Sequence, residues 1–250
     1  MLRMKRILLA GGLALQLGAC ATSAPPPDER HPDDPWEPFN RNMHEFNQAA
    51  DRAVLRPVAR GYQAITPSPV RTGIRNFFTN LRSPVVILNL LLQGRPGDGL
   101  EQFERFFVNT VYGVGGVFDL ASRGDLPRHE ADLGMTFGRW GWTDSRYLML
   151  PFLGPSTLRD GIGFYGDTYV NPVWELAREE GSYALLGLNI IQIRANLLPL
   201  DAQIEDAFDS YLFLRDGYLQ RRQFLIQGEE TGLPDYDSFL DDDFDDWDDW

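Results

Sequence analysis

The sequence has almost no cysteine: in 250 residues, Cys20 stands alone. A single thiol can close no disulfide within the chain and can build no multi-cysteine zinc site, so packing, hydrogen bonds and ion pairs must hold the fold. Histidine is also scarce. His31, His44 and His129 are scattered, with no H-E-x-x-H spacing. There is no G-x-S-x-G elbow, and no Walker lysine follows a glycine-rich loop. Gly113-Val114-Gly115-Gly116 lacks the third glycine of a dinucleotide fingerprint, because Phe118 holds that place. These glycines are read as allowing close packing or a kink. No metal or cofactor is called for, and the chain is read as not an enzyme.

Positive charge is in the minority, with 23 Lys and Arg against 36 Asp and Glu, a net charge of −13. Such a balance attracts neither nucleic acid nor anionic headgroups in bulk, so nucleic acid is set aside as a partner. Long apolar runs are missing too. Within the body that follows the N-terminal region, Phe106 to Phe118 and Tyr183 to Ile193 are the long apolar stretches without charge, and both fall short of the ~20 residues of a membrane span. The expectation is that no helix crosses a bilayer.

What is present begins at the N-terminus. Arg3, Lys5 and Arg6 precede an uncharged, mostly apolar run from Ile7 to Leu17, which has the form of a signal peptide. The stretch closes on Leu17-Gly18-Ala19-Cys20, which resembles the bacterial lipobox. Small residues give a peptidase access to the backbone, and the thiol at the new N-terminus takes diacylglycerol. Ordinary cleavage after Ala21, on Ala19-Cys20-Ala21, is the alternative. Cys20 is assigned as the lipidation site; a lipobox cysteine normally carries three acyl chains, where two already anchor stably. Ala21 rather than Asp follows it, which favours forwarding to an outer membrane.

Four regions follow: a signal at 1–19, a Pro-rich, charged tether at 20–33, a folded body at 34–233 and an acidic tail at 234–250. The tail holds nine aspartates with Phe244, Trp247 and Trp250 among them. It reads as a solubilising disordered tail, or as a short aromatic-acidic element that docks on a basic partner.

The body reads as mainly helical. Trp36, Phe39, Met43, Phe46, Ala50 and Val54 recur at steps of three and four, with Asp34 and Glu37 at capping-box spacing, although Pro38 shifts the start. A second amphipathic stretch, Val70 to Leu81, is expected to end near Pro84, followed by a short apolar run, Val85 to Leu92. Leu100 to Leu120, Ser182 to Leu198 and Asp201 to Gln227 are further helix candidates. Residues 134–153, rich in glycine and aromatics, are expected to form a hairpin or irregular re-entrant segment. Ser156, in Gly154-Pro155-Ser156-Thr157-Leu158-Arg159-Asp160, could be a nucleophile. The stronger reading is a turn in which Thr157 caps a helix, with Arg159 and Asp160 in structural pairs. Helices apolar on more than one face are either the core of a soluble bundle or lie in a membrane interface, and periodicity leaves both open.

Several segments together resemble one family. They are "DPWEPFNRNMHEFN" at the start of the body, "LRPVARGY" (55–62), "NFFTNLRSPVVILNLLLQG" (76–94), "FERFFVNTVYGVGGVFDLA" (103–121), "LPFLGPSTLRDGIG" (150–163) and "RDGYLQRRQFL" (215–225). In that order they are similar to the MlaA lipoproteins, also called VacJ; the tether and acidic tail lie outside the likeness. The resemblance implies an all-helical ring of short amphipathic helices, with one hairpin-like segment, lying in the inner leaflet of the outer membrane. It implies a passive amphipathic channel that removes phospholipid from the outer leaflet, a trimeric outer-membrane porin as partner, and a periplasmic carrier that receives the lipid. It resolves the open choice toward the interface, with Phe77, Phe78, Leu90, Leu91, Phe106 and Phe107 as candidate membrane-facing residues. It also places 134–153 near the channel, with Gly138 and Gly141 as candidate hinges. Thr143 stands where a second hinge glycine is common, so a rigid turn remains the alternative. A structural lipoprotein that supports porins and a periplasmic lipid hydrolase remain the competing functions.

Overall fold

The structure is a computed structural model that describes residues 31–178 and 183–227. Cys20 and the acidic tail lie outside the described residues. Among the described residues the regular elements are helices and one two-stranded β-hairpin.

Helix α1, Glu37–Ala50, starts with Pro38 in its first turn, where a missing N–H costs nothing. Asp34 does not cap it. The N-cap position is Trp36, without a side-chain bond, and the Asp34 carboxylate is fully buried. It accepts from Asn40 Nδ2 at 2.8 Å, from the Tyr211 hydroxyl and from Arg215 Nη1 at 3.3 Å, joining the first helix to the last. The chain just before it is also fixed, with Tyr147 N donating to Asp33 O at 2.6 Å.

After α1 the rod continues through a π-helical turn, Asp51–Leu55, into α2, Arg56–Ile65. Pro57 lacks an N–H and would clash with the carbonyl four residues back, and a widened turn relieves that clash without breaking the rod. Arg56 N accordingly donates five residues back, to Asp51 O.

Helix α3, Ser68–Leu92, does not end at Pro84 but runs through it for 25 residues. Tertiary packing holds it across the break: the buried Asn80 side chain, one turn before Pro84, donates to Thr110 Oγ1 at 2.8 Å on α4, Pro96–Val111. Helix α4 stops well before Leu120. Gly115 (φ 69°) and Gly116 (φ 92°) turn the chain there, and a Cβ on Gly116 would collide with the Asn80 side chain. Close packing is thus the role of these glycines. A short α5, Leu120–Arg123, follows, capped by Asp119.

Within 134–153 the first half is helical and the hairpin lies later. Asp132 caps α6, Leu133–Arg139, through Met135 N at 2.8 Å, so the glycines Gly134 and Gly138 sit in a helix. The antiparallel pair is β1, Tyr147–Leu150, and β2, Gly154–Thr157, in the register Tyr147↔Thr157 to Leu150↔Gly154. Then come α7, Leu158–Asp167, and α8, Pro172–Arg178. Helix α9, Tyr183–Asn196, leads through a 3-10 turn at Leu198–Leu200 into α10, Asp201–Asp206. The expected helix from Asp201 to Gln227 is interrupted: Ala207 is extended, and α11, Ser210–Gln227, begins afresh. Asp209 starts it by accepting from Tyr211 N at 2.9 Å and Leu212 N at 3.2 Å.

Against expectation, the run Tyr183–Asp206 is long and apolar enough to cross a membrane by length and composition. Its continuous α-helical part is 14 residues, about 21 Å against the ~30 Å of a hydrocarbon core. Arg194 and Asp201, paired to each other, sit at its far end.

The burial pattern is inverted. Among the described residues 13 hydrophobic residues are buried, while 17 polar or charged residues are buried and 33 large hydrophobics are exposed. A soluble domain scatters exposed apolar residues singly, whereas here they gather along α3, α4, α7 and α9. The buried apolar clusters are small: Val86–Leu90–Ala131, and Tyr147–Met149–Tyr211 with Met43, Leu212, Tyr218 and Leu219 packed against it.

Candidate functional site

One face of α1 and of the π-helical turn after it carries Arg41, His44, Asn47, Gln48 and Asp51 at helical spacing. This face lines an open cavity of about 780 Å³, bordered also by the hairpin loop, the end of α9, α10 and the start of α11. Its lining is amphipathic. Leu55, Met149, Phe152, Leu197 and Ile204 supply apolar wall, and four arginines and four carboxylates supply charge.

Ion pairs organise that charge. Arg194 reaches Asp51 twice, at 2.6 and 2.9 Å, and Asp201 at 2.8 Å. Arg56 lies 3.3 Å from both Asp51 and Asp201 and also pairs with Glu205. Burial works against the Asp51 charge, but the Arg194 and Arg56 guanidiniums hold its carboxyl below the usual carboxylate range. Arg194 is raised in turn, chiefly by its bond to Asp51. Arg41 bonds Asp209 at 2.9 Å and lies 4.5 Å over the Tyr211 ring. His44 is buried, with Nε2 2.9 Å from Gln48 Nε2 and 3.1 Å from Ser210 Oγ. Burial, with Arg41 nearby, lowers its pKa, so the ring is neutral at pH 7 and can accept from the amide. Arg41, Arg52, Arg56 and Arg194 balance Asp51, Asp201, Glu205 and Asp209, leaving a polar wall of no net charge.

A second hollow, of about 480 Å³, is almost wholly apolar. Pro69, Val70, Ile74, Phe77 and Phe78 of α3 form one side, Val117 and Phe118 the floor, and Leu185 and Leu188 of α9 the other side.

The segment beside the first cavity is anchored by a buried charge lattice. Arg222 of α11 bonds Asp132 at 2.6 and 2.9 Å and Asp160 at 2.7 Å, and Tyr218 donates to Asp160 at 2.8 Å. Asp132 and Asp160 resist burial through these arginines and are held below the ordinary carboxylate range. Arg159 pairs with Asp160 at 3.0 Å and donates to Trp142 O at 3.0 Å. Both residues of the expected Arg159–Asp160 pair are buried in this lattice. Thr157 Oγ1 accepts from Asp160 N at 3.1 Å, the expected cap. Ser156 Oγ is buried and donates to Thr157 O at 3.2 Å; among the described residues no base reaches it.

The six apolar candidates divide by burial. Leu91 and Phe107 are exposed, Phe77 and Phe106 are half-buried, and Phe78 and Leu90 turn inward. Gly138 is buried in α6, where an added Cβ would lie 2.9 Å from Ile226, and Gly141 takes φ 108° just past that helix. The cavity arginines and acids escaped sequence reasoning, because they come from segments more than 140 residues apart. The local pairs among them are Asp51–Arg56, five residues apart, and Arg194–Asp201, seven apart, and neither spacing is a recognised motif. Asp98, Glu101 and His129 also come within 4.8 Å of one another, a juxtaposition that spacing along the chain did not reveal.

The profile of a protein family described as MlaA lipoprotein matches residues 32–225. The Intermembrane phospholipid transport system lipoprotein MlaA of Escherichia coli (strain K12) is 37% identical over 233 residues, covering 92% of this chain and 91% of that protein. The protein of the same name in Haemophilus influenzae is 32% identical over 244 residues, covering 94% and 97%. A solved structure from work on the structural basis for maintenance of bacterial outer membrane lipid asymmetry is similar with a TM-score of 0.69 at 38% identity, covering 77% of this chain and 98% of that one.

Proposed function

Because the chain belongs to the MlaA lipoprotein family, we propose that it is a passive phospholipid channel that removes phospholipid from the outer leaflet of the outer membrane and so maintains lipid asymmetry. The observation that carries the reading is a pairing of two features: a cavity walled by balanced arginine and carboxylate charge, and aromatic and aliphatic side chains turned outward on several helices. A phospholipid needs a wet path for its headgroup and an apolar one for its tails. The charge-balanced wall suits a zwitterionic headgroup, neither trapping nor repelling it. The apolar hollow along Phe77 and Phe78 suits an acyl chain. Helices satisfy their own backbone groups, so such a body can lie in the hydrocarbon of an inner leaflet with Cys20 lipidated beside it.

In this reading Leu91 and Phe107 face lipid, and Gly141, with its positive φ, is the pivot for the segment next to the cavity. Lipid moves downhill into the cavity and is handed to a periplasmic carrier, with a trimeric porin holding the body in the outer membrane. The test is a clean deletion strain. It should show more phospholipid labelled by an impermeant outer-leaflet probe, restored by the wild-type gene, and an unchanged outer leaflet would refute the assignment.

A further inference from the structure

Helix α6 ends on Arg139, whose nearby opposite charge, Asp98, is already committed to Arg95. Arg139 is half-buried, makes no hydrogen bond or ion pair with any described residue, and its Nε is fully buried without an acceptor. Its neighbours raise the cost. Burial lowers its pKa, Arg95 repels it, and the nearby Asp98 is already paired with Arg95. A half-buried guanidinium without a hydrogen-bonded counter-charge is unfavourable, so the place calls for an anionic acceptor.

The surroundings say which acceptor fits. Trp140 donates its Nε1 to Leu92 O at 3.0 Å, which sets the end of α6 over the end of α3. Leu88, Leu91, Leu92, Trp140 and Trp142 are all exposed there. Tryptophan beside arginine at the margin of an apolar face is the composition that meets a bilayer at headgroup level. We propose that Arg139, with Arg95 behind it, binds the phosphate of a phospholipid whose acyl chains lie along Leu91, Leu92 and Trp140. This site lies outside the cavity and rests on the membrane-interface reading given above. Guanidinium favours it over other cations, because its planar fork matches two phosphate oxygens. The site holds lipid at the protein margin, beside the Gly141 turn.

The experiment uses the full-length protein in detergent, with R139Q, R139K and a chain ending at residue 227. Dihexanoylphosphatidylglycerol is titrated against tryptophan fluorescence, inorganic phosphate alone is titrated in parallel, and circular dichroism checks the fold. Binding by the wild type, weakened about tenfold in R139Q and less in R139K, is expected. Equal affinity for inorganic phosphate would overturn the lipid assignment in favour of a free-anion site. Lipid binding that emerges only after residues 228–250 are removed would overturn it in favour of the acidic tail. Undiminished binding in a folded R139Q would overturn this site alone. Absence of phospholipid binding in every variant would overturn the channel reading along with it.

Discussion

Arg194 grips Asp51 through two nitrogens, Nε to Oδ1 at 2.6 Å and Nη2 to Oδ2 at 2.9 Å, across 143 residues of sequence. The pair fastens the end of α9 to the π-helical turn between α1 and α2. It also places two opposite charges in the wall of the 780 Å³ cavity. Both side chains are mostly buried, so the pair is screened less than a surface one.

Asp51→Asn should therefore destabilise the protein by about 1–3 kcal/mol, since it leaves Arg194 and Arg56 to share Asp201 and Glu205. Arg194→Lys keeps the charge but loses the planar fork, and should cost less. Thermal unfolding in detergent measures both. A change in Asp51→Asn below about 0.5 kcal/mol would place the pair among surface ion pairs of no structural weight.

His44 gives the cavity a pH dependence of known sign. Its folded pKa is lowered by burial, so as pH falls the unfolded chain takes up the proton first. The stability it contributes is whole above the unfolded value of about 6.5 and is lost as pH falls from there through the lower folded value. His44→Gln removes this titration. Its unfolding midpoint should vary less than that of the wild type between pH 7.5 and pH 5.5 (about two units spanning the titration). Parallel curves for the two proteins would mean that His44 is not the group responsible.

Ser156 and Thr157 are adjacent hydroxyls with different expected costs. Ser156→Ala removes one bond to Thr157 O and should leave outer-leaflet lipid unchanged in cells. Thr157→Ala removes the cap of α7 and should cost about 1 kcal/mol in stability. Loss of lipid homeostasis in an abundant, folded Ser156→Ala protein would revive the hydrolase reading.

The sequence made the helical class legible, because aromatic and aliphatic residues recur at helical spacing, and it made the Thr157 cap legible, because a cap is local. The departures have nonlocal causes. Pro84 reads as a breaker, yet α3 passes through it because Asn80 is locked to Thr110 on the next helix. Asp34 has the spacing of a cap, yet Tyr211 and Arg215, over 170 residues away, claim its carboxylate. Residues 133–139 hold three aromatic or glycine positions that suggest a turn, but Asp132 caps them into a helix and Arg222 secures that cap. The cavity charges were invisible for the same reason, since none of the pairs involving Arg194 is a short-range sequence motif apart from the seven-residue step to Asp201.

The final prediction separates a body seated in the membrane from a soluble domain on a lipid leash. With a non-lipoprotein signal and Cys20→Ala, no acyl chain remains to hold the protein. A soluble domain would hide its apolar residues, yet Leu91, Phe103, Phe107, Ile162, Ile190 and Ile193 are exposed on four different helices. At about 25 cal/mol per Å², roughly 400 Å² of such surface is worth about 10 kcal/mol of membrane attraction before ordering costs. That is comparable with a long acyl chain at about 0.8 kcal/mol per buried methylene. The Cys20→Ala protein should therefore still sediment with membranes, need detergent for purification and carry phospholipid. Recovery of a lipid-free monomer without detergent would show that the apolar faces are covered by the protein itself, and the channel in the membrane interface would have to be abandoned.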